Sequence, residues 1–204
     1  MSYSALILAG GEGSRLGFKE KALIDINGRP LISLIIERLE KVVDTIIIAV
    51  RDEAQGELLN SRITGCGFAY DTYKNRGPLA GVLSGLSACN DEYCFIAACD
   101  MPFINSKIVK MLFEDCQGFD AAIPCWNDGL LEPLHAVYRC EPMLKETRKA
   151  IEKGENIILA PISRLKVNCV AVDDIKKPDP RLRTFMNVNT PEDLKRIEEI
   201  KNQF

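Results

Sequence analysis

In 204 residues the chain has a single histidine, His135, and a single tryptophan, Trp126. One imidazole excludes any site that needs two, such as the paired helix-borne histidines of a zinc metalloprotease. Eight cysteines stand at 66, 89, 94, 99, 116, 125, 140 and 169, and no two are three apart, so neither a C-x-x-C redox motif nor a zinc ribbon is written. A basic excess is missing as well. The 26 Lys and Arg face 29 Asp and Glu, a formal net charge of −3, which falls short of the cationic surface that phosphate-backbone binding to DNA or RNA requires. The opening MSYSALILAGGEG offers only residues 5–9 as an apolar core with no preceding Lys or Arg, and reads as neither a signal peptide nor a membrane span. These absences describe a cytoplasmic protein without nucleic-acid or membrane partners. Its chemistry then rests on carboxylates, lysines, amides or an added metal ion.

What is present is an ordinary globular composition, 47% hydrophobic and 27% charged. At roughly 100 to 200 residues per domain, residues 1–204 read as one domain that buries about 70% of its unfolded surface without disulfides or a structural metal. Cys94, Cys99, Cys125, Cys140 and Cys169 lie in apolar runs and read as buried free thiols. Runs rich in β-branched and apolar residues recur at 5–9, 45–50, 68–70, 93–99, 121–124, 135–138 and 167–172. Between them lie helical stripes, Ile32, Ile35, Ile36, Leu39 and Leu79, Val82, Leu83, Leu86, each spaced i, i+3, i+4, i+7. A third helix starts near Ile108 behind a cap at Asn105 or Ser106, and residues 190–202 predict a closing helix with a Thr cap and Pro at its first position. Residues 176–183, KKPDPRLR, predict an exposed loop. Strands alternating with helices give an α/β fold: a doubly wound, mainly parallel sheet with helices on both faces.

The densest chemical signal is LILAGGEGSRLG at 6–17, directly after the first strand. In an open parallel sheet ligands bind beyond the carboxyl ends of the strands, where glycines let backbone N–H groups close on an anion. The spacing Gly11-x-Gly13-x-x-x-Gly17 is one residue too long for the dinucleotide fingerprint, and no P-loop is present. Arg15 and Lys21 place two cations near this loop, where they could neutralise nucleotide phosphates. Residues 10–21 carry Arg15, Lys19 and Lys21 against Glu12 and Glu20, locally +1 in a chain that is negative overall. Asp100 ends the run 93–99. It either supplies a carboxylate for a hard cation such as Mg²⁺ together with phosphate oxygens or caps the next helix. Asp71 closes another strand ahead of Gly77-Pro78, where it either accepts the paired N–H donors of a guanine, or a ribose hydroxyl, or serves as a turn residue. His135 reads either as a satisfied core residue or as a substrate contact, and Asn187 and Asn189 either face a ligand or cap the closing helix.

These residues together resemble the molybdenum cofactor guanylyltransferases, the MobA-like branch of the nucleotidyltransferases, over residues 6–194. The opening loop with Lys21 is common to all branches. GPLAG at 77–81, ACDMP at 98–102, EPLHAVY at 132–138 and NVNTPEDL at 187–194 narrow the match to the MobA-like branch. The resemblance implies transfer of GMP from GTP to molybdopterin, with Mg²⁺ as cofactor and pyrophosphate as leaving group. It also implies contacts with molybdenum cofactor synthesis proteins and acceptor apo-enzymes. The expected nucleotide-binding residues are Leu8, Ala9, Gly10, Gly11, Gly13, Lys21, Asp71, Gly77 and Asp100. Arg15, Lys21 and Asp100 are the catalytic candidates, Asp100 is the metal ligand, and His135, Asn187 and Asn189 are the acceptor-side candidates. Two positions depart from the family pattern. Glu20 stands where Asp usually precedes the lysine, and Arg51 follows the second strand where many relatives carry Asn. Other readings keep the fold but change the partner: cytidylyl transfer to the pterin, transfer to another phosphorylated acceptor such as a sugar or corrinoid phosphate, or a non-catalytic nucleotide-binding regulator.

Overall fold

The computed structural model describes residues 2–11, 20–73 and 76–201. Seven strands form one sheet: β1 (Ser4–Leu8), β2 (Thr45–Val50), β3 (Gly67–Tyr70), β4 (Tyr93–Ala98), β5 (Ala121–Cys125), β6 (His135–Arg139) and β7 (Val167–Ala171), in the order β3-β2-β1-β4-β6-β5-β7. All seven predicted strands are present to within a residue at most ends. Four pairings are parallel, but β6 runs antiparallel to both β4 and β5, so the sheet is mixed. The nine-residue connection between β5 and β6 is too short for a crossover helix, which forces the hairpin and reverses β6.

Alternation along the strands feeds two apolar cores. Ala5, Ile7, Ile48 and Phe95 pack under α1 (Leu31–Leu39) and α4 (Ser106–Asp115), whereas Leu6, Ile47 and Ile96 pack under α3 (Pro78–Ser87) and α5 (Cys140–Glu152). Both faces being covered explains why runs such as IIIAV carry no polar alternation. A third cluster, Ile24, Ile26, Leu31, Leu34, Val188 and Ile197, docks the closing helix α8 (Pro191–Lys201). The predicted caps are present. Asn105 accepts from Lys107 N at 3.0 Å, and Thr190 Oγ1 accepts from Asp193 N at 3.2 Å while Asp193 accepts in return from the N–H groups of Asn189 and Thr190. Four helices, α5 and also α2 (Glu53–Asn60), α6 (Leu159–Ile162) and α7 (Val172–Ile175), are added to the elements read from the sequence.

Two expectations need correction. The 176–183 stretch is not wholly exposed, because Asp179 is buried and accepts from Thr184 N at 2.8 Å. Of the thiols expected inside, Cys94, Cys99 and Cys140 are buried, but Cys125 is half-buried and Cys169 exposed, since β7 is an edge strand with one side open. No helix among the described residues is long and apolar enough to cross a membrane.

Candidate active site

The parallel strands end together. Leu8 pairs in register with Ala49 and Ala98, and three further bonds continue the ladder past the strand ends: Ala9 N to Ala49 O (2.9 Å), Asp71 N to Val50 O (2.9 Å) and Cys99 N to Leu8 O (3.2 Å). Gly10, Arg51, Asp71 and Asp100 therefore share one edge of the sheet. The order β3-β2-β1-β4 reverses between β1 and β4, and such a reversal opens a crevice at the carboxyl ends. A cavity of about 690 Å³ lies there, within the size range of small-molecule sites. Its walls include Leu8, Gly10, Gly11, Lys21, Asp71, Gly77 and Asp100, seven of the residues singled out from the sequence.

At the β1–β4 end, Lys21 begins a 3₁₀ turn (Lys21–Leu23). Its Nζ donates to Asp100 Oδ2 at 2.6 Å and to Asn189 Oδ1 at 2.7 Å, joining residues 79 and 168 positions away. Val188 N donates to Asp100 O at 2.9 Å, which ties the 187–190 segment to the same point. The Lys21 and Asp100 side chains are only 13% and 16% exposed. Asp100 Oδ1 is buried without a hydrogen-bond partner among the described residues, an arrangement that costs free energy unless a ligand or cation completes it.

At the β3 end, burial pushes the Asp71 carboxyl above its usual range, against the opposing effect of a hydrogen bond from Ser84 Oγ to Oδ1 at 3.0 Å. A Cβ on Gly10 would stand 3.5 Å from Asp71 Oδ2, and one on Gly81 would stand 3.8 Å from Oδ1, so the glycines keep the space beside this carboxylate open. Gly77 opens α3 at φ +53°, a left-handed conformation that favours glycine and turns the chain sharply into Pro78. The cavity thus has a carboxylate end at Asp71 and a cation–carboxylate end at Lys21 and Asp100, with Gly10 and Gly11 on its wall.

Residues 5–166 match the model of the MobA-like NTP transferase domain. The chain belongs to that family. It is 43% identical over 200 residues to a protein of Methanosarcina mazei named probable molybdenum cofactor guanylyltransferase, covering 95% of this chain and 89% of that one. A similarly named protein of Natronomonas pharaonis is 37% identical, covering 96% of both. The crystal structure of molybdopterin-guanine dinucleotide biosynthesis protein A from Archaeoglobus fulgidus superposes with a TM-score of 0.86 at 34% identity, over 98% of this chain and all of that one. The 2-C-methyl-D-erythritol 4-phosphate cytidylyltransferase of Thermus thermophilus shares the fold at a TM-score of 0.72 and 18% identity.

Not every candidate reaches the cavity. Ala9 is fully buried behind its wall, with its C=O accepting from Gln55 Nε2 at 2.8 Å. Asn187 is exposed beside Val188. Arg15 and Gly13 lie outside the described residues, as does Lys19. His135 is a core residue and does not line the cavity. It is fully buried, flanked edge-on by Phe95 and Phe185, with Nε2 3.1 Å from Thr184 Oγ1. Burial lowers its pKa from 6.5 to about 3, so the folded protein holds the imidazole neutral while the unfolded chain protonates it below pH 6.5. The unfolded state then binds more protons, and stability is lost as pH falls from 6.5 towards 3. Linkage gives about 2 kcal/mol lost between pH 7 and pH 5. Urea unfolding at the two pH values should show that loss in the native protein and a smaller one in His135→Gln. Equal losses would exclude the imidazole as its source.

Sequence reading missed Gln55 and Ser84, which contact the site residues through hydrogen bonds and carry no motif. It noted the two departures, Glu20 and Arg51, without seeing that they are partners. The Arg51 guanidinium pairs with the Glu20 carboxylate, and also with Asp52 at 3.3 Å. The acid before Lys21 and the residue after β2 are thus ion-pair partners in the fold. Arg51 sits in the position the family Asn would hold, on the cavity wall.

Proposed function

We propose that this chain transfers a guanylyl group from GTP to the phosphate of molybdopterin, giving molybdopterin guanine dinucleotide and pyrophosphate. The observation that carries the reading is the Lys21–Asp100–Asn189 cluster at the β1–β4 crevice, with one carboxylate oxygen of Asp100 left without a partner among the described residues. The names of relatives similar along nearly the whole chain support it.

The acceptor phosphate is its own nucleophile, since a phosphate monoester is already largely ionised near pH 7. It attacks the α-phosphorus, the bond to the β-phosphate oxygen breaks, and pyrophosphate leaves. No covalent enzyme intermediate is needed, which suits a site without a reactive histidine or cysteine. The protein's task is to align two anions and offset the charge that develops on the leaving group. Lys21 has three N–H donors, two engaged by Asp100 and Asn189, and the third serves a phosphate oxygen. The backbone N–H groups at Gly10 and Gly11, on the cavity wall, would serve as further donors to the same anion. Asp100 Oδ1 suits Mg²⁺, which takes one or two carboxylates and completes its shell with phosphate oxygens. When bound there, Mg²⁺ supplies charge neutralisation to the transferring phosphates. At the far end Asp71 accepts from guanine N1–H and N2–H₂, a donor pair that adenine lacks.

The test is pyrophosphate release by purified protein with Mg²⁺, molybdopterin and each of the four nucleoside triphosphates in turn. GTP should exceed the other three at least tenfold, and EDTA should stop release. Faster turnover with CTP would overturn the guanine assignment, and no release with any of the four would overturn the reaction.

A further inference from the structure

Gln55 lies on α2, a helix that brings no other side chain to the nucleotide chemistry, and yet it is only 1% exposed. Its amide is spent entirely on the site. Nε2 donates to Ala9 O at 2.8 Å and to Glu20 Oε2 at 2.7 Å, while Oε1 accepts from Arg51 N at 2.8 Å. Ala9 and Glu20 are the residues on either side of the glycine-rich segment, and Arg51 begins the loop after β2. The other Glu20 oxygen pairs with the Arg51 guanidinium, so the three points form a closed triangle around one amide. The helix is set for this by its own cap, Asp52 Oδ1 accepting from Gln55 N at 2.8 Å.

We infer that Gln55 is a positioning residue for nucleotide binding: it pins both ends of the glycine-rich segment to each other and to the end of β2, and through Glu20 it fixes the approach of Lys21 to Asp100. The inference rests on the nucleotidyltransferase reading above. Its physical basis is preorganisation. Holding the two ends together before the ligand arrives removes part of the ordering cost that binding would otherwise meet, and a buried amide satisfied at every atom holds one geometry because any shift leaves a buried polar group unpaired. The side chain itself touches no reacting atom.

Two variants test this. Gln55→Glu keeps the acceptor for Arg51 N but turns a carboxylate oxygen towards Ala9 O and the Glu20 carboxylate. The reciprocal pair Glu20→Gln with Gln55→Glu restores the 20–55 hydrogen bond and leaves an acceptor for Arg51. Measured by equilibrium dialysis with radiolabelled GTP and Mg²⁺, Gln55→Glu should bind at least tenfold more weakly than the native protein, and the double variant, which restores the bond to residue 20 but not the one to Ala9 O, should bind at least about threefold more tightly than Gln55→Glu without reaching native affinity. In turnover, the single change should raise KM for GTP while KM for molybdopterin stays within twofold, a split that general loss of stability would not produce. A Gln55→Glu protein with native melting behaviour and native GTP affinity would overturn the inference alone. So would a double variant no better than the single one. If the native protein binds no nucleoside triphosphate, the functional reading itself fails.

Discussion

Replacing Asp100 with asparagine should reduce pyrophosphate release at least about a thousandfold, roughly 4 kcal/mol of transition-state stabilisation, while the melting temperature changes little. Asparagine is nearly isosteric. Its carbonyl oxygen can still accept from Lys21, so the 2.6 Å contact and the tie to Asn189 have a counterpart in the variant. What changes is the second position of the side chain. There Asp100 presents Oδ1, buried and without a partner among the described residues, and asparagine presents N–H donors. A donor cannot ligate a cation, and it carries no charge to hold Mg²⁺ against two phosphate groups. The Mg²⁺ dependence of the residual rate should therefore disappear or move to much higher concentrations. A variant with native rate and native Mg²⁺ response would remove Asp100 from the metal role and leave it as the ion-pair partner of Lys21, since the next helix is capped by Asn105 and not by Asp100.

The sequence exposed the part of this site that depends on period and punctuation. Seven apolar runs became seven strands, and because parallel strands end together, the residues just beyond them, Gly10, Asp71 and Asp100, had to meet at one edge. The helices with bulky stripes, α1 and α3, were legible for the same reason. α5 was not, although its buried positions Cys140, Met143, Thr147, Ala150 and Ile151 keep a helical spacing, because cysteine, threonine and alanine give a weak hydrophobic signal. α2 was hidden by its polarity and by Gly56, whose missing side chain makes room for the Tyr70 ring; a Cβ there would stand 2.7 Å from Tyr70 Cε1. With α2 unseen, Gln55 had no place in the site. Antiparallel β6 was missed because a run of apolar residues gives no strand direction, and only the length of the preceding connection does.

Both departures from the family pattern fell in the part that composition cannot resolve. Glu20 has one methylene more than the usual Asp, and Arg51 reaches much further than Asn. Each substitution alone looks like a lost contact. Their pairing across the cavity wall shows that the longer acid meets the longer base, and that Gln55 bonds the same carboxylate. Contact of this kind, between positions 31 residues apart, comes from the fold bringing residue 20 back to the end of β2 and not from any local motif.

Lys21→Met should lower kcat/KM at least about a hundredfold, close to 3 kcal/mol, and here stability and activity should separate. The methionine keeps most of the apolar stem but strips Asp100 Oδ2 and Asn189 Oδ1 of their shared donor. With Oδ1 already without a partner among the described residues, the Asp100 carboxylate loses its one described ion pair in a largely buried place, which costs on the order of 1–3 kcal/mol. For a chain of this length that is a fall in melting temperature of roughly 2–4 °C per kcal/mol. Lys21→Arg should not restore activity, because a planar fork cannot reproduce a compact ammonium held at 2.6 and 2.7 Å by two converging oxygens. The double variant Lys21→Met with Asp100→Asn removes the stranded charge. Its melting temperature should rise above that of Lys21→Met while its turnover stays at or below the lower of the two single variants. A double variant no more stable than Lys21→Met would mean that the stranded Asp100 charge is not the source of the lost stability. The part played by the ammonium in turnover is read from Lys21→Met alone: native turnover per folded molecule would leave Lys21 only a partner for Asp100, and a loss larger than the loss of folded protein would leave the ammonium acting on the phosphates.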